Sequence, residues 1–570
     1  MRHRIHIARS AALAGLLLAA QPWAASAQTA SAQTASEGSG ERAPAVFGEL
    51  IEVRVVNVEV VVTDKKGDRV PDLKAQDFKL KVDGKEVPIE YFTEVRGGQA
   101  IAGESAAEAA ASSSPVPGLA GLAPGSDVGT SYLVFIDDFF SVAAQRDKVI
   151  RTFKDNLSRL GPQDRMAIVA FDGKSVDMLS TWSNSANALS RAFDQALVRR
   201  AHGLERVAEL RSFDTTRRQR AGFFRDRENR LNTRLEIDEL QYAQSLAQKV
   251  ERSVSAAVTT LRGFASPPGR KVMLLLSGGW PYAPADYAIN DPNRPVSERD
   301  VPEGDRLFSP LSDTANLLGY TVYPVDVPGL EGSVTDASQE GPAPATGALN
   351  LRENQLHDSL DFIARQTGGT PMLNGNAQKA FERASTDTRS FYWLGFTPTR
   401  QGDDIRHRIK VEAVRPGLSV RFRDSFKDLS KSTEVSLMVE SALFFGNPPG
   451  SESMPVQLGA IKPAGKKGKE IGVPLTLAIP VDAITLLPID GKFKAQLELR
   501  AAAVDEKGNR SDVPVTPLTV TTTKAPPPGG FLRYETTLNL RKIRQKLVLS
   551  VFDPASGRLL AAQVEITPPK

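Results

Sequence analysis

The stretch that most constrains the fold is Ser131–Ser141, which has the sequence S-Y-L-V-F-I-D-D-F-F-S. Its residues Tyr132 to Ile136 form an uninterrupted apolar run with aromatic and β-branched members, and the run ends abruptly at Asp137 and Asp138. A run of this kind predicts a strand that is buried on both faces. Ligands of open α/β sheets bind beyond the carboxyl ends of the strands, so the two acids are predicted to lie at a binding edge.

Strands and helices alternate after this stretch. Residues 142–160 carry apolar side chains at helical spacing, and helical patterns recur between the later apolar runs. The runs that predict further strands are Met166–Phe171, Val272–Leu276, Tyr320–Val327 and Phe391–Phe396. This alternation predicts an α/β fold with a doubly wound, mostly parallel sheet and helices on both of its faces.

The order of these elements resembles that of the von Willebrand factor type A (VWA) domain, which has a Rossmann-type fold. The resemblance is closest to a secreted bacterial group of VWA-related proteins that is common in acidobacteria. It rests on four stretches: V-V-N-V-E-V-V-V-T-D-K-K-G, the strand that ends in Asp137 and Asp138, G-R-K-V-M-L-L-L-S-G-G-W, and F-Y-W-L-G-F-T-P. The resemblance implies a VWA-like domain and implies no catalytic activity.

The resemblance also implies a metal-ion-dependent adhesion site, but a degenerate one. In the family an Asp-x-Ser-x-Ser loop, a Thr and a further Asp hold a divalent cation, usually Mg²⁺. Asp137 and Ser141 match this loop, whereas Phe139 stands at the middle Ser and Gly278 stands where the further Asp is expected. The site therefore holds either no cofactor or Mg²⁺ with few protein ligands. The candidate ligand-face residues are Asp137, Asp138, Ser141 and Ser277.

A second interpretation of the two acids is structural. Adjacent residues at a strand end point to opposite sides, so Asp138 is poorly placed to replace a missing ligand of Asp137. Aspartates that precede a helix commonly cap its amino end and interact favourably with its dipole. We therefore expect Asp137 and Asp138 to cap the helix that follows, and we favour this role over metal binding.

A helical insertion is predicted at about 198–262, within the α/β region. Its second half has a clear apolar stripe, and its first half ends in a basic and aromatic segment. This segment is predicted to be either a solvated helix with ion pairs one turn apart or an arm that contacts an acidic protein partner. The candidate partner-contact residues are Arg217, Arg218, Phe223 and Phe224.

The amino-terminal residues 1–27 have the pattern of a secretory signal peptide. Arg2, Arg4 and Arg9 precede the short apolar run Ala11–Ala20, and small residues before Gln28 form a cleavage site. The apolar run is too short to span a bilayer, and no later stretch is long and apolar enough to do so. The sequence thus predicts a periplasmic or secreted protein without a transmembrane segment after cleavage.

Composition excludes several classes of function. The chain has no cysteine and five histidines, which rules out thiol chemistry and disfavours a zinc site or a Ser-His-Asp triad. Removal of the three signal-peptide arginines lowers the formal charge from +4 to +1, which offers no electrostatic case for nucleic-acid binding. These observations favour a protein that is not an enzyme.

The rest of the chain divides by composition and pattern. We predict a flexible tether at 28–46, a small immunoglobulin-like β-sandwich at 47–96, a disordered linker at 97–129, the VWA-like domain at 130–426 and a β-rich domain at 427–570. The predicted architecture is therefore an α/β domain flanked by all-β sandwiches.

The function predicted from these features is an exported, non-enzymatic module for protein–protein interaction or adhesion, with a protein partner in the cell envelope. One alternative is a structural scaffold of the envelope whose β domains make the contacts. The other is a hydrolase of a surface polymer, which is disfavoured because the adjacent Asp137 and Asp138 cannot flank a glycosidic bond.

Overall fold

The computed structural model describes most of the chain after residue 54. The described residues are 6–7, 55–101, 125–223, 230–264, 269–289, 301–327, 346–373, 377, 379–398, 402–445, 448, 450–464, 470–489, 491–505, 511–524 and 526–569. The tether, most of the signal peptide and the centre of the linker lie outside these residues. The described residues form two compact units, of which one comprises the described part of Val55–Phe445 and the other comprises residues 6–7 and the described residues from 448 onwards.

The strands, in chain order, are β1 (His6–Ile7), β2 (Val56–Thr63), β3 (Phe78–Val82), β4 (Lys85–Val87), β5 (Tyr91–Arg96), β6 (Gln99–Ile101), β7 (Thr130–Asp137), β8 (Arg165–Phe171), β9 (Val176–Ser183), β10 (Arg270–Ser277), β11 (Tyr320–Asp326), β12 (Phe391–Phe396), β13 (Arg406–Ala413), β14 (Ser419–Arg421), β15 (Ser425–Lys427), β16 (Glu452–Ser453), β17 (Val456–Leu458), β18 (Lys462–Ala464), β19 (Glu470–Pro480), β20 (Leu487–Ile489), β21 (Lys492–Asp505), β22 (Val515–Thr522), β23 (Phe531–Arg541), β24 (Gln545–Phe552) and β25 (Leu559–Ile566).

The helices are α1 (Ala143–Asp155), α2 (Ala186–Leu197), α3 (Gly203–Phe223), α4 (Arg230–Gly263), α5 (Pro284–Ile289), α6 (Asp305–Leu318), α7 (Thr346–Thr367), α8 (Ala380–Asp387) and α9 (Lys431–Phe445). None of the helices in the described part of the chain combines the length and the apolar character that crossing a bilayer requires. The predicted helical insertion corresponds to α3 and α4. The last helix, α9, belongs to the unit that ends at Phe445.

The mostly parallel sheet has the strand order β11-β10-β7-β8-β9. The first four strands of this order are parallel, and the edge strand β9 is antiparallel to β8. All eight residues of β7 are buried, as its sequence predicts. One face of the sheet packs against α3, α4, α6 and α7, and the other against α1, α2 and α8. The sheet therefore has helices on both faces, and its central strand ends at Asp137.

The first β-sandwich combines two segments that are far apart in sequence. Strand β12 lies between β2 and β5 in one sheet, and β13 pairs with β3 in the other. The two sheets share one apolar core, to which Tyr392, Leu394 and Phe396 contribute alternate side chains of β12. The sandwich is thus completed by residues beyond 390, whereas the sequence pattern places all of it at 47–96.

This arrangement corrects the prediction for Phe391–Phe396. The run was expected to be a final strand of the parallel sheet, but it pairs only with antiparallel sandwich strands among the described residues. Both faces of β12 are covered, because Phe391 and Trp393 pack in a second apolar cluster with Val61 and Val95. A strand covered on both faces reads as a continuous apolar run in either kind of sheet, so the sequence pattern does not distinguish them.

The carboxyl-terminal unit is also a sandwich of two sheets. Its long strands are β19 and β23 in one sheet and β21, β24 and β25 in the other. Their inward side chains form one core, with Leu475, Leu497 and Leu549 as central members. Taken together, the chain is a mixed α/β protein with mostly antiparallel sandwiches, which confirms the β-sandwich part of the predicted fold.

Replacing Leu394 by alanine tests the composite sandwich. Leu394 is fully buried in its core, so Leu394→Ala is expected to lower the free energy of unfolding by about 3 kcal/mol. The measurement is urea denaturation followed by far-UV circular dichroism. The control is Ile405→Ala, an exposed residue just before β13, for which we expect a change below about 0.5 kcal/mol. Equal effects of the two substitutions would contradict the packing described here.

Candidate functional site

Asp137 lies at the carboxyl end of the central strand of the parallel sheet and is fully buried. Its Oδ2 accepts hydrogen bonds from the Ser277 hydroxyl at 2.9 Å and from the Trp280 indole N–H at 2.7 Å. Its Oδ1 accepts the backbone N–H groups of Phe139 and Phe140 at 3.1 and 3.2 Å. Four donors of the chain itself therefore surround this carboxylate.

Burial and hydrogen bonding act in opposite directions on this group. Burial raises the pKa of Asp137 to about 6, and the bonds from Trp280, Ser277 and Phe140 oppose the rise by stabilising the carboxylate. The neighbouring charge of Asp138 raises the pKa further. The donors thus hold a desolvated carboxylate, and part of the cost of burying it remains uncompensated.

Asp138 points away from Asp137, as expected for neighbours at a strand end. Its Oδ1 accepts a hydrogen bond from the buried Arg146 at 2.6 Å, and its Oδ2 accepts one from Arg199 at 2.7 Å. Arg146 also donates to the carbonyl oxygen of Arg199 at 2.9 Å. Asp138 is therefore the centre of an ion-pair network that joins β7, α1 and the residues after α2.

The predicted helix-capping role of the two acids is wrong. The amino-terminal cap of α1 is Val142, which has no side-chain hydrogen bond to the helix. Asp137 instead closes the tight turn that follows β7, and Asp138 is held by two arginines. The turn separates the acids from the helix, so their charges are matched by side chains and turn amides rather than by the helix end.

Phe139, at the position of the middle Ser, closes the acidic loop with an aromatic ring. The ring packs so closely on Gly173 that a Cβ atom there would lie 2.3 Å from it. The guanidinium of Arg206 lies 4.8 Å from the centre of the ring, and Phe140 contacts the ring edge-on. The loop therefore places an aromatic ring at the position where the resemblance implies a ligand oxygen.

Ser141 is also buried, and its hydroxyl has no hydrogen-bond partner among the described residues. Its carbonyl oxygen accepts the backbone N–H of Gly203 at 2.9 Å. A Cβ atom on Gly203 would lie 2.6 Å from the backbone of Ser141, so only glycine allows this approach. The start of α3 is thereby fixed on the acidic loop.

The residues at this edge do not fit a divalent cation. Asp137 and Ser277 lie in contact, but Trp280 directs an N–H donor at the carboxylate oxygen that a cation would need. The indole is fully buried and stacks on Phe308 with 6.2 Å between ring centres, so moving it would disturb the core. Within the described residues, no three His, Cys, Asp or Glu side chains are grouped to hold a metal.

A further acid lies at the same edge of the sheet. Asp326 ends β11, directly beside Ser277 in the strand register. Its carboxylate lies 3.4 Å from Nε2 of His357 on α7. The hydrogen bond with Asp326 raises the pKa of His357 against the opposing effect of burial. The position of Asp326 follows from its strand, but its partner follows from the three-dimensional fold.

The side chains of the four predicted partner-contact residues lie outside the described part of the structure. Arg217, Arg218 and Phe223 lie in the last turns of α3, where the backbone alone is described, and Phe224 lies outside the described residues. Two exposed apolar residues, Val198 and Leu204, are 86% and 59% exposed. They flank the connection from α2 to α3.

Comparison with known proteins does not assign the chain. No protein-family model matches it, and no curated protein matches it. The solved structure of Bacteroides uniformis beta-glucuronidase is 9% identical with a TM-score of 0.14, over 31% of this chain and 19% of that chain. Bovine butyrophilin is 8% identical with a TM-score of 0.11, over 32% of this chain and 64% of that chain. Similarities at this level support no inference about fold or function.

Replacing Trp280 by phenylalanine tests the carboxylate geometry. The change removes one donor from Asp137, so the pKa of Asp137 in the folded protein rises further above its ordinary value of 3.8. Because the lost bond stabilises the ionised form, Trp280→Phe should lower the free energy of unfolding by about 2 kcal/mol more at about pH 7.5 than at about pH 5. The measurement is urea denaturation at the two pH values.

The control is Trp393→Phe, a buried tryptophan with no indole hydrogen bond among the described residues. This substitution removes a similar volume but no hydrogen bond to a carboxylate. Its effect on the free energy of unfolding should therefore be the same at both pH values. If Trp280→Phe shows no larger pH dependence than this control, Trp280 does not stabilise the ionised Asp137.

Proposed function

We propose that the chain is an exported, non-enzymatic protein-interaction module. Its α/β domain is VWA-like, is flanked by immunoglobulin-like sandwiches, and binds a protein of the cell envelope without a cation. The binding surface is the exposed connection 198–204 at the carboxyl edge of the parallel sheet, which rests on the buried acidic loop formed by Asp137 to Ser141.

The strand order supports the VWA-like assignment. Numbered within the sheet by position in the chain, the strands β9, β8, β7, β10 and β11 have the order 3-2-1-4-5, which is that of doubly wound folds. The topological switch lies at β7, where the chain order reverses. Ligands of such sheets bind at this switch point, and the acidic loop begins there.

The observation that carries cation-independent binding is the set of four donors on Asp137. A carboxylate has about four lone-pair positions, and Asp137 accepts two hydrogen bonds at each oxygen, which leaves no open position for a hard cation. The same donors fix the loop in one conformation without any bound ion. A partner would therefore meet a preformed surface.

The side chains exposed at this edge suit protein contacts. Val198 and Leu204 present apolar surface, and Arg200 lies between them with 77% of its side chain exposed. The backbone beneath them is fixed, because His202 N–H donates to the Asp138 carbonyl oxygen at 2.7 Å and Arg199 is ion-paired with Asp138. An arginine on a rigid support is typical of binding anchors, and the exposed apolar side chains beside it add area that a partner could bury.

The hydrolase alternative gains no support from this geometry. Acid catalysis of glycoside hydrolysis needs two carboxyl groups on either side of the bond. Asp137 and Asp138 are both buried and point to opposite sides of the sheet. Their hydrogen bonds are made with the chain itself, which leaves neither group facing a substrate.

Affinity capture tests this proposal. The chain without residues 1–27 is immobilised, and proteins captured from envelope extract are quantified with Mg²⁺ and with EDTA. We expect the same specific capture in both conditions. We also expect its loss in the double variant Val198→Glu, Leu204→Glu, because two carboxylates would be desolvated against the partner.

The matched control is the double variant Val515→Glu, Phe531→Glu, which changes two exposed apolar residues of the carboxyl-terminal unit by the same chemistry. It should capture as much as the unmodified chain. Capture that requires Mg²⁺ would refute cation independence. Capture that survives in the first variant and is lost in the control would assign binding to the β domains and favour a scaffold.

A further inference from the structure

The outer sheet of the first sandwich has one apolar and one basic face. Its strands have the order β15-β13-β3-β4. Side chains alternate along β3 and β13, so that Phe78, Leu80, Ile409 and Val411 point into the core. The intervening residues point outward. Those on β3 and β13 are Lys79, Lys81, Arg406, Arg408, Lys410 and Glu412.

Five basic side chains dominate this outward surface. They are Lys79, Lys81, Arg408, Lys410 and Lys427, which together are called the basic face. Arg406 lies at its margin and is ion-paired with Asp313 at 3.1 Å. The acidic residues that point outward from these strands are Glu86, opposite Lys81, and Glu412, opposite Lys79. Adjoining segments bring Asp83 near Arg408, and Asp313 and Asp404 near Lys427. The outward side of the strands themselves therefore carries more basic than acidic side chains.

The strand register places like charges directly opposite each other. Lys410 stands opposite Lys81, and Arg406 stands opposite Lys427. Such pairs destabilise an isolated sheet, because the side chains repel across the strands. Glu412 relieves the first pair by binding Lys410 at 2.8 Å and Lys81 at 3.1 Å. Lys79, Arg408 and Lys427 make no ion pair within the part of the chain that the structure describes.

The shape and composition of the basic face limit its ligand. Antiparallel strands present these side chains in neighbouring rows on one face, and no aromatic side chain is among the outward residues of β3 and β13. Single-stranded nucleic acids are bound by stacking of bases on aromatic rings, which this surface does not offer. Several lysine and arginine side chains on one face complement the many phosphate groups of a layer of anionic lipid headgroups.

We propose that the basic face docks this unit onto an anionic lipid surface. The contact is peripheral and electrostatic, and the ligand groups are lipid phosphates. The proposal is independent of the protein-binding edge described above, because it concerns the outer sheet of the sandwich. Each basic side chain at such a surface strengthens binding by roughly fivefold at moderate ionic strength. Binding should weaken steeply as added salt shortens the range of the attraction.

Vesicle sedimentation tests this proposal with the chain that lacks residues 1–27. The probes are vesicles of phosphatidylcholine alone and vesicles in which part of it is replaced by phosphatidylglycerol. We expect binding to the anionic vesicles only, and release by salt. The triple variant Lys79→Gln, Arg408→Gln, Lys410→Gln should bind at least about a hundredfold more weakly, because three charges are lost.

The matched control is Lys492→Gln, Lys524→Gln, Lys542→Gln, which removes the same net charge from exposed positions of the other unit. It should bind as the unmodified chain does. Urea denaturation of both variants shows whether each is folded, and single substitutions at Lys79 and Lys410 replace the triple variant if it is not.

Three results would overturn the proposal. The first is equal binding to neutral and anionic vesicles. The second is equal loss of binding in the test and control variants, which would show a dependence on net charge alone. The third is binding to soluble polyphosphate without binding to anionic vesicles, which would assign the basic face to a polyanionic polymer.

Discussion

The buried carboxylate of Asp137 is the group on which the carboxyl edge of the parallel sheet depends. It draws the turn amides after β7, the hydroxyl at the end of β10 and the indole of Trp280 to one point. An ionised group buried without donors would be strongly unfavourable. The four hydrogen bonds therefore fix the relative positions of two strand ends and of the loop between β10 and α5.

The charge of the second acid, Asp138, is compensated in a different way. Asp138 is matched by two guanidinium groups, of which that of Arg146 is fully buried. A buried ion pair contributes less net stability than its contacts suggest, because both charges lose their hydration. The ion pair instead fixes the positions of its members, since removal of either partner would leave an unmatched charge in the core. Asp137 thus fixes one side of the loop through neutral donors, and Asp138 fixes the other side through ion pairs.

The sequence predicted the strand and helix around Asp137 and Asp138 better than it predicted the side chains that bind these two acids. The apolar run that ends in Asp137 and Asp138 indicated β7, its burial and the opposite directions of the two acids. The donor Trp280 follows Ser277-Gly278-Gly279, and an aromatic N–H donor just after a buried strand was the available signal. Arg146 and Arg199 gave no such signal, because Arg146 is one of several charged residues of α1 and Arg199 lies in an ordinary connection after α2. The capping role failed because a turn separates the acids from α1.

The fold was predictable where local pattern and long-range pairing agree. The continuous apolar run of β7 and the helical spacing after it identified the α/β region. The alternation of apolar and polar residues identified the sandwiches. Pairing partners were not encoded locally: β12 matches a parallel sheet as well as a sandwich by its side chains. Similarly, the basic face became visible only when the register aligned β3 with β13, because their charges are more than 300 residues apart, as the Lys81–Glu412 separation of 331 residues shows.

The composite sandwich also imposes an order on folding. The backbone N–H of Leu73 donates to the hydroxyl of Tyr392 across 319 residues, and β12 fills the gap between β2 and β5. The amino-terminal strands consequently emerge from synthesis long before the strand that joins them. Until then their polar edges and apolar faces are open to wrong pairing. A chain built in this way gains if its first strands are kept apart until β12, which lies in the last third of the sequence, has been made.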